Sequence, residues 1–242
     1  MAHREENSMT TTSFGSSIKR KEDPRLITGQ GTYVEDVSLA GMLHMILVRS
    51  PFAHAEIKSV DTSLAEAHPG VVAAFTGKDL AEELGSLPCG WVVPDTKEVP
   101  HPPLAVGKVR YVGDAVVAVL ADSLSAATDG ASLVEIQYEE LESVVDMEES
   151  LRDGCIQLHD DAPNNTAFEW EVDAGNMDEA RASSEVRVSQ RFVNQRLIPT
   201  AMENRGVVVD YSPGTDQITM WTSTQIPHLI RVLLALVTGH PE

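Results

Sequence analysis

Two cysteines in 242 residues are too few for a disulfide scaffold, and Cys89 and Cys155 stand in no metal-ligand spacing. Such usage fits a reducing compartment. Cys89, in the loop Leu-Pro-Cys-Gly-Trp, has no histidine beside it and reads as structural or incidental. Positive charge is also scarce. Eighteen Lys and Arg against thirty-seven Asp and Glu give a net charge of −19, which argues against nucleic acid and against anionic membrane surfaces. No apolar run reaches the roughly 18–20 residues needed to span a bilayer. The polar, Ser/Thr-rich residues 1–15 lack the apolar stretch of a secretory signal, so a cytoplasmic location is expected.

Motifs for several chemistries are missing as well. There is no Gly-X-Ser-X-Gly elbow, no Walker-type glycine loop, no His-X-His and no His-Glu-X-X-His. The eight histidines do not cluster along the chain, and no protein-ligated metal site is expected. His44 alternates with apolar residues and reads as a core or interface histidine before a catalytic one. His228 follows Pro227 at a helix start, where capping or packing competes with a chemical role.

The composition that remains, 42% hydrophobic and 23% charged, is that of an ordinary globular protein of one or two domains. Periodicity predicts strands over 41–50, with both faces buried, and over 55–60, 71–75, 108–112, 115–121 and 134–138. Helices are expected over 63–67, 78–84 and from Asp122 or Ser123 to about Ala131. The strands 108–112 and 115–121 read as a hairpin-like pair across Gly113-Asp114, and 115–138 as a β-α-β unit without a dinucleotide fingerprint. The proline-rich stretch from Gly85 to Pro103 is a long loop, a length that usually signals function or mobility. Residues 144–151 read as a short acidic helix or turn.

The second part alternates into strands over 166–172 and 185–193, around a helix over 176–182. Residues 206–211 and 217–221 form a hairpin across Ser-Pro-Gly-Thr-Asp. The fold class is therefore α+β. The acid excess is concentrated between Glu135 and Glu185, where Arg152 and Arg181 are the only Lys or Arg residues. Two readings stay open for it: a solvated face that aids solubility, or a docking face for a basic partner.

The stretch Trp221-Thr-Ser-Thr-Gln225-Ile-Pro-His228 carries the sharpest chemical signal. A strand runs into a polar turn, and Pro227 opens an apolar helix over 229–237. Gln225 sits at that transition with one acceptor and two donors, and brings neither charge nor a proton. It suits recognition of an oxo or carbonyl oxygen; an exposed loop glutamine is the plain alternative. Nothing after the apolar helix covers it, so the chain is expected to be a piece of something longer.

Six blocks in order resemble the large, molybdenum-cofactor-binding subunit of the xanthine dehydrogenase, aldehyde oxidase and aerobic carbon monoxide dehydrogenase family. They run from Ile18-Lys-Arg-Lys-Glu-Asp-Pro-Arg to Tyr-Val-Glu-Asp36, then Leu47-Val-Arg-Ser-Pro-Phe-Ala-His-Ala55 and Gly107-Lys-Val-Arg-Tyr-Val-Gly-Asp114. Val134-Glu-Ile-Gln-Tyr-Glu-Glu-Leu141, Asn194-Gln-Arg-Leu-Ile-Pro199 and Thr222-Ser-Thr-Gln-Ile-Pro-His228 continue the series.

The resemblance implies a disordered lead over 1–16, an α/β hammerhead domain over 17–150, and a linker over 151–164. The start of a mixed α/β molybdenum-cofactor-binding domain would follow over 165–242. It implies a molybdenum–pterin cofactor (molybdopterin or its cytosine dinucleotide form) with Gln225 beside the centre's oxygen ligand. Partners would be an iron–sulfur small subunit and an FAD medium subunit, in a dimer of heterotrimers. The substrate would be an aldehyde, carbon monoxide or an N-heterocycle. The glycine-rich cofactor loop, substrate loop and catalytic glutamate of the family have no counterpart here, so no catalytic residue is assigned. The fragment alone is expected to be inactive.

Overall fold

A computed structural model describes residues 14–90 and 92–242. Most of the expected disordered lead, residues 1–13, lies outside them. The chain divides into two compact units, one formed by the segments up to Ser38 and Ile198–Ser223, the other by Leu39–Leu197 and Thr224–Glu242.

The larger unit contains two three-stranded antiparallel sheets. The first has the order β1 (His44–Arg49), β5 (Ala115–Ala121), β3 (Val71–Thr76). The second has the order β4 (Lys108–Val109), β2 (Ala55–Asp61), β6 (Glu135–Glu140). β5 is the centre of its sheet and reads Ala-Val-Val-Ala-Val-Leu-Ala because both of its faces are covered. Val116, Val117 and Val119 join Val109 of β4, Ala55 of β2 and Ala105 in one core, against which Phe52, Ile57 and Tyr138 pack. β1 is an edge strand, and Met45 is 50% exposed. The expectation that both of its faces are buried is thus corrected: Met45 and Arg49, on one face, are exposed, because at the sheet edge only one neighbouring strand shields the side chains.

Short helices connect the strands. α2 (Ser63–Glu66) packs on β3 and on α4 (Leu124–Ser132), and α4 sets Ala126, Ala127 and Gly130 against β1, β5 and β3. Ser123 caps α4 by accepting the Ala126 N–H at 3.3 Å. α3 (Gly77–Leu80) is shorter than expected and opens on a tight pair in which the Asp79 carboxylate accepts the Thr76 N–H and hydroxyl, both at 2.7 Å. The turn following β3 requires a glycine, because a Cβ on Gly77 would overlap the Ala105 carbonyl.

Three further expectations are corrected. β4 and β5 are not a hairpin: β4 pairs with β2, and β5 with β1 and β3. Between them the Asp114 carboxylate accepts the Arg110 N–H at 3.1 Å, and Gly113, with φ +92°, donates to the Ser50 carbonyl at 2.8 Å. That knot redirects the chain from one sheet to the other. For the same reason β5, α4 and β6 are not a β-α-β unit within one sheet. Finally, residues 166–172 and 185–193 are not strands. Their alternating side chains are largely exposed, with Val188 at 85% and Phe192 at 81%, and apart from the Lys97 N–H donating to the Ala167 carbonyl at 2.8 Å no described segment pairs with their backbone. The helix between them, α5 (Met177–Ser183), is present and capped by Asn176, which accepts the Glu179 N–H at 3.1 Å.

The smaller unit contains α1 (Asp23–Ile27) and the expected hairpin of β7 (Val207–Ser212) and β8 (Gln217–Thr222). The Val34 N–H donates to Glu203 Oε1 at 3.1 Å, and Val34 lies over Gly206. Strands and helices alternate in neither unit as a parallel wound sheet, and the fold class is α+β. The last helix, α6 (Pro227–Thr238), belongs to the larger unit, where Gly85 donates its N–H to the Val237 carbonyl at 2.7 Å.

Candidate functional site

Gln225 occupies an exposed bend directly before α6. The Thr224 hydroxyl accepts the Ile226 N–H at 3.1 Å and fixes that bend. Pro227 supplies the first helical residue with no N–H to satisfy, no side chain caps the helix, and its first turn holds no acidic residue. The amide of Gln225 therefore stands beside first-turn N–H groups that no side chain of the described residues caps. A neutral amide and a bare helix N-terminus form a donor-rich edge that fits an oxygen-bearing, electron-rich group. His228, in the first turn, is exposed as well.

The other candidates lie apart from this edge. His44 is half-buried in β1 opposite Ala121. Cys89 is exposed. Cys155 is half-buried and lines a cleft of about 490 Å³ with Glu142, Asp146 and Glu149. Among the described residues no three His, Cys, Asp or Glu side chains gather to hold a metal ion. No helix of the described residues is long and apolar enough to cross a membrane.

The structure also assembles a group that the sequence keeps apart. His101, Lys108, Arg110 and His159 line one cavity of about 200 Å³, with Tyr111, Asp114 and Leu158. Arg110 is fixed there by donating Nε–H to the Leu158 carbonyl at 2.9 Å. Burial, followed by the charges of Arg110 and His101, holds the His159 imidazole below its usual pKa. Burial and the neighbouring Asp114 push the Tyr111 phenol up. In the sequence only the spacing of Lys108 and Arg110, two apart on an extended run, hints at a shared face.

The two halves of the chain match two family models in succession. Residues 28–142 match the aldehyde oxidase and xanthine dehydrogenase a/b hammerhead domain, and residues 158–242 match a molybdopterin cofactor-binding domain. The chain belongs to the aldehyde oxidase and xanthine dehydrogenase family.

Family members similar to it include the nicotine 6-hydroxylase large subunit of Paenarthrobacter nicotinovorans, 36% identical over 97% of this chain and 29% of that protein. The carbon monoxide dehydrogenase large chain of Afipia carboxidovorans is 35% identical over 95% of this chain and 29% of its own length. Among solved structures, quinoline 2-oxidoreductase from Pseudomonas putida 86 superposes with a TM-score of 0.85 at 37% identity, covering 94% of this chain and 29% of that one. The chain thus spans about 29% of the length of these relatives. The hammerhead domain and the opening of the cofactor-binding domain expected from the resemblance are its two parts.

Proposed function

We propose that this chain is the N-terminal part of a molybdenum hydroxylase large subunit. In the complete enzyme it would take part in oxidising an aldehyde, carbon monoxide or an N-heterocycle with oxygen derived from water. The observation that carries this reading is the ordered pair of family matches over 28–142 and 158–242. The gap between them supports a division into a hammerhead domain over 17–150, a linker over 151–164 and a cofactor-binding segment from 165.

Gln225 is the residue of this chain that would meet the cofactor. When bound, a molybdenum–pterin group supplies oxygen-atom transfer and accepts the electrons of the oxidation. Gln225 would donate an amide N–H toward oxygen atoms of that group, and the uncapped first turn of α6 would favour their negative charge. The amide carries no titratable proton, so its task is orientation and hydrogen bonding rather than acid–base work.

Electrons would leave through an iron–sulfur small subunit and an FAD medium subunit, in a dimer of heterotrimers located in the cytoplasm. Similarity to a subunit of the 6-hydroxypseudooxynicotine dehydrogenase complex of P. nicotinovorans supports assembly with partners. A second reading, in which the acidic stretch from Glu135 to Glu185 makes this part a docking module without catalysis of its own, rests on the concentration of charge there. The test is purification of the full-length subunit with its partners, followed by metal analysis and assays with aldehyde, purine and carbon monoxide. Stoichiometric molybdenum and turnover of one substrate are expected; a metal-free complex without turnover refutes the first reading.

A further inference from the structure

The cavity between the long loop and β4 gathers positive charge in a chain whose net charge is −19. Lys108 and Arg110 lie on one face of an extended run, while Val109 between them is fully buried in the core. His101 arrives from the loop after Gly85, anchored by its N–H donating to the Ser86 hydroxyl and by Leu87 donating to the His101 carbonyl at 3.0 Å. His159 arrives from the segment beyond Cys155. Two permanent cations and two imidazoles thus line the cavity with one carboxylate, Asp114, while Asp160 and Asp161 lie close enough to His159, and Glu56, the cross-strand neighbour of Lys108, close enough to Lys108, for the charges to act on one another.

That carboxylate is already engaged by the Arg110 backbone N–H. The Arg110 side chain is held only at Nε, by the Leu158 carbonyl; its terminal amino groups make no hydrogen bond or ion pair among the described residues. Lys108 likewise has no carboxylate within salt-bridge distance among them. A guanidinium oriented at one nitrogen with its two outer groups unoccupied presents donors in the geometry that oxyanions accept. The cavity, about 200 Å³, is smaller than the roughly 300 Å³ at which sites for drug-sized ligands begin.

We propose that this cavity is a binding site for a small, free tetrahedral oxyanion of phosphate or sulfate type, held by Lys108 and Arg110 and by the imidazoles of His101 and His159. The anion supplies acceptors for the outer amino groups of Arg110 and the ammonium of Lys108, which have none among the described residues, and it ties the long loop and the segment around His159 to β4.

The test is titration of the full chain with inorganic phosphate at constant ionic strength, adjusted with sodium chloride, while the histidine ring resonances are followed by NMR. Saturable shifts of the His101 and His159 signals are expected, with the His159 titration midpoint raised by phosphate. Lys108→Gln and Arg110→Gln should each weaken binding at least about tenfold, as loss of one charge-assisted hydrogen bond implies. Lys108 makes no side-chain hydrogen bond among the described residues, so Lys108→Gln keeps the test open if Arg110→Gln fails to fold. Shifts that track sodium chloride equally well, or an unchanged affinity in Lys108→Gln, overturn the proposal. Adenosine monophosphate should bind at least about tenfold more weakly than phosphate, because the cavity falls below the usual ligand size; equal or tighter binding overturns the assignment to a small free anion.

Discussion

Asn165 holds Leu158 in place: its side-chain oxygen accepts the Leu158 N–H at 2.9 Å, while its amide nitrogen donates to the carbonyls of Ser150, at 3.0 Å, and Ile156, at 2.8 Å. One half-buried amide thus satisfies three backbone groups of a connection that has no sheet or long helix of its own. Asn165 also adopts a left-handed backbone, φ +55°, which asparagine tolerates better than alanine. Because the Leu158 carbonyl accepts Arg110 Nε, this amide also sets the position of the cationic cavity. Asn165→Ala should cost about 2 kcal/mol, the sum of lost hydrogen bonds and backbone strain. A chemical denaturation midpoint measures this, and unchanged stability would show that water replaces the amide without loss.

Gly77 should tolerate no side chain. Its Cβ would meet the backbone carbonyl of Ala105, which is tied to the central strand by the Ala105 N–H donating to Ala115 at 2.7 Å. The neighbour that must give is main chain rather than a flexible side chain. Gly77→Ala is expected to lower stability by about 2–3 kcal/mol through overpacking, outweighing any helix-propensity gain of about 1 kcal/mol. Thermal unfolding of the variant, scanned beside the parent, decides it.

The pH dependence of stability should carry a contribution from His159. Burial and the charges of Arg110 and His101 depress its folded pKa below 6.5, so between the folded value and 6.5 the unfolded chain binds the proton more readily. Stability is therefore undiminished above about pH 6.5 and declines as pH falls from there toward the folded pKa. Comparison of parent and His159→Gln across pH 5–8 should show that the variant lacks this decline. Identical profiles would assign the acid sensitivity elsewhere.

Gln225 can be separated from the fold because it is exposed and makes no hydrogen bond among the described residues. In the complete enzyme Gln225→Ala is expected to reduce turnover or cofactor occupancy by about tenfold, the value of one hydrogen bond of roughly 1.4 kcal/mol, while thermal stability stays unchanged. Gln225→Glu should be worse, since a carboxylate offers the electron-rich group repulsion in place of a donor. Parent kinetics in both variants would remove Gln225 from the site.

Much of the fold was legible as local pattern. The run Ala115–Ala121 announced a strand, Asp122 or Ser123 announced the start of α4, and Ser-Pro-Gly-Thr-Asp announced the turn between β7 and β8. In each case the signal lies in neighbouring residues and the physics is short-range: alternation, capping and turn chemistry. The ordered blocks from Ile18 to His228 also pointed to the family that the two matched models establish.

Pairing was not legible. Val188 and Phe192 sit in an alternating run that looks like a strand, yet a strand exists only where another backbone accepts its N–H groups, and none of the described segments does. β4 and β5 adjoin in sequence but join different sheets, because the knot at Arg110 and Asp114 redirects the chain. The histidines that do not cluster along the chain include two, His101 and His159, that meet around Lys108 and Arg110. The sequence determined where strands and helices of the first part start, are capped and turn, since those properties depend on near neighbours. Only the tertiary structure decided which backbones pair and which distant charges share a cavity, because those depend on where the chain returns after tens of residues.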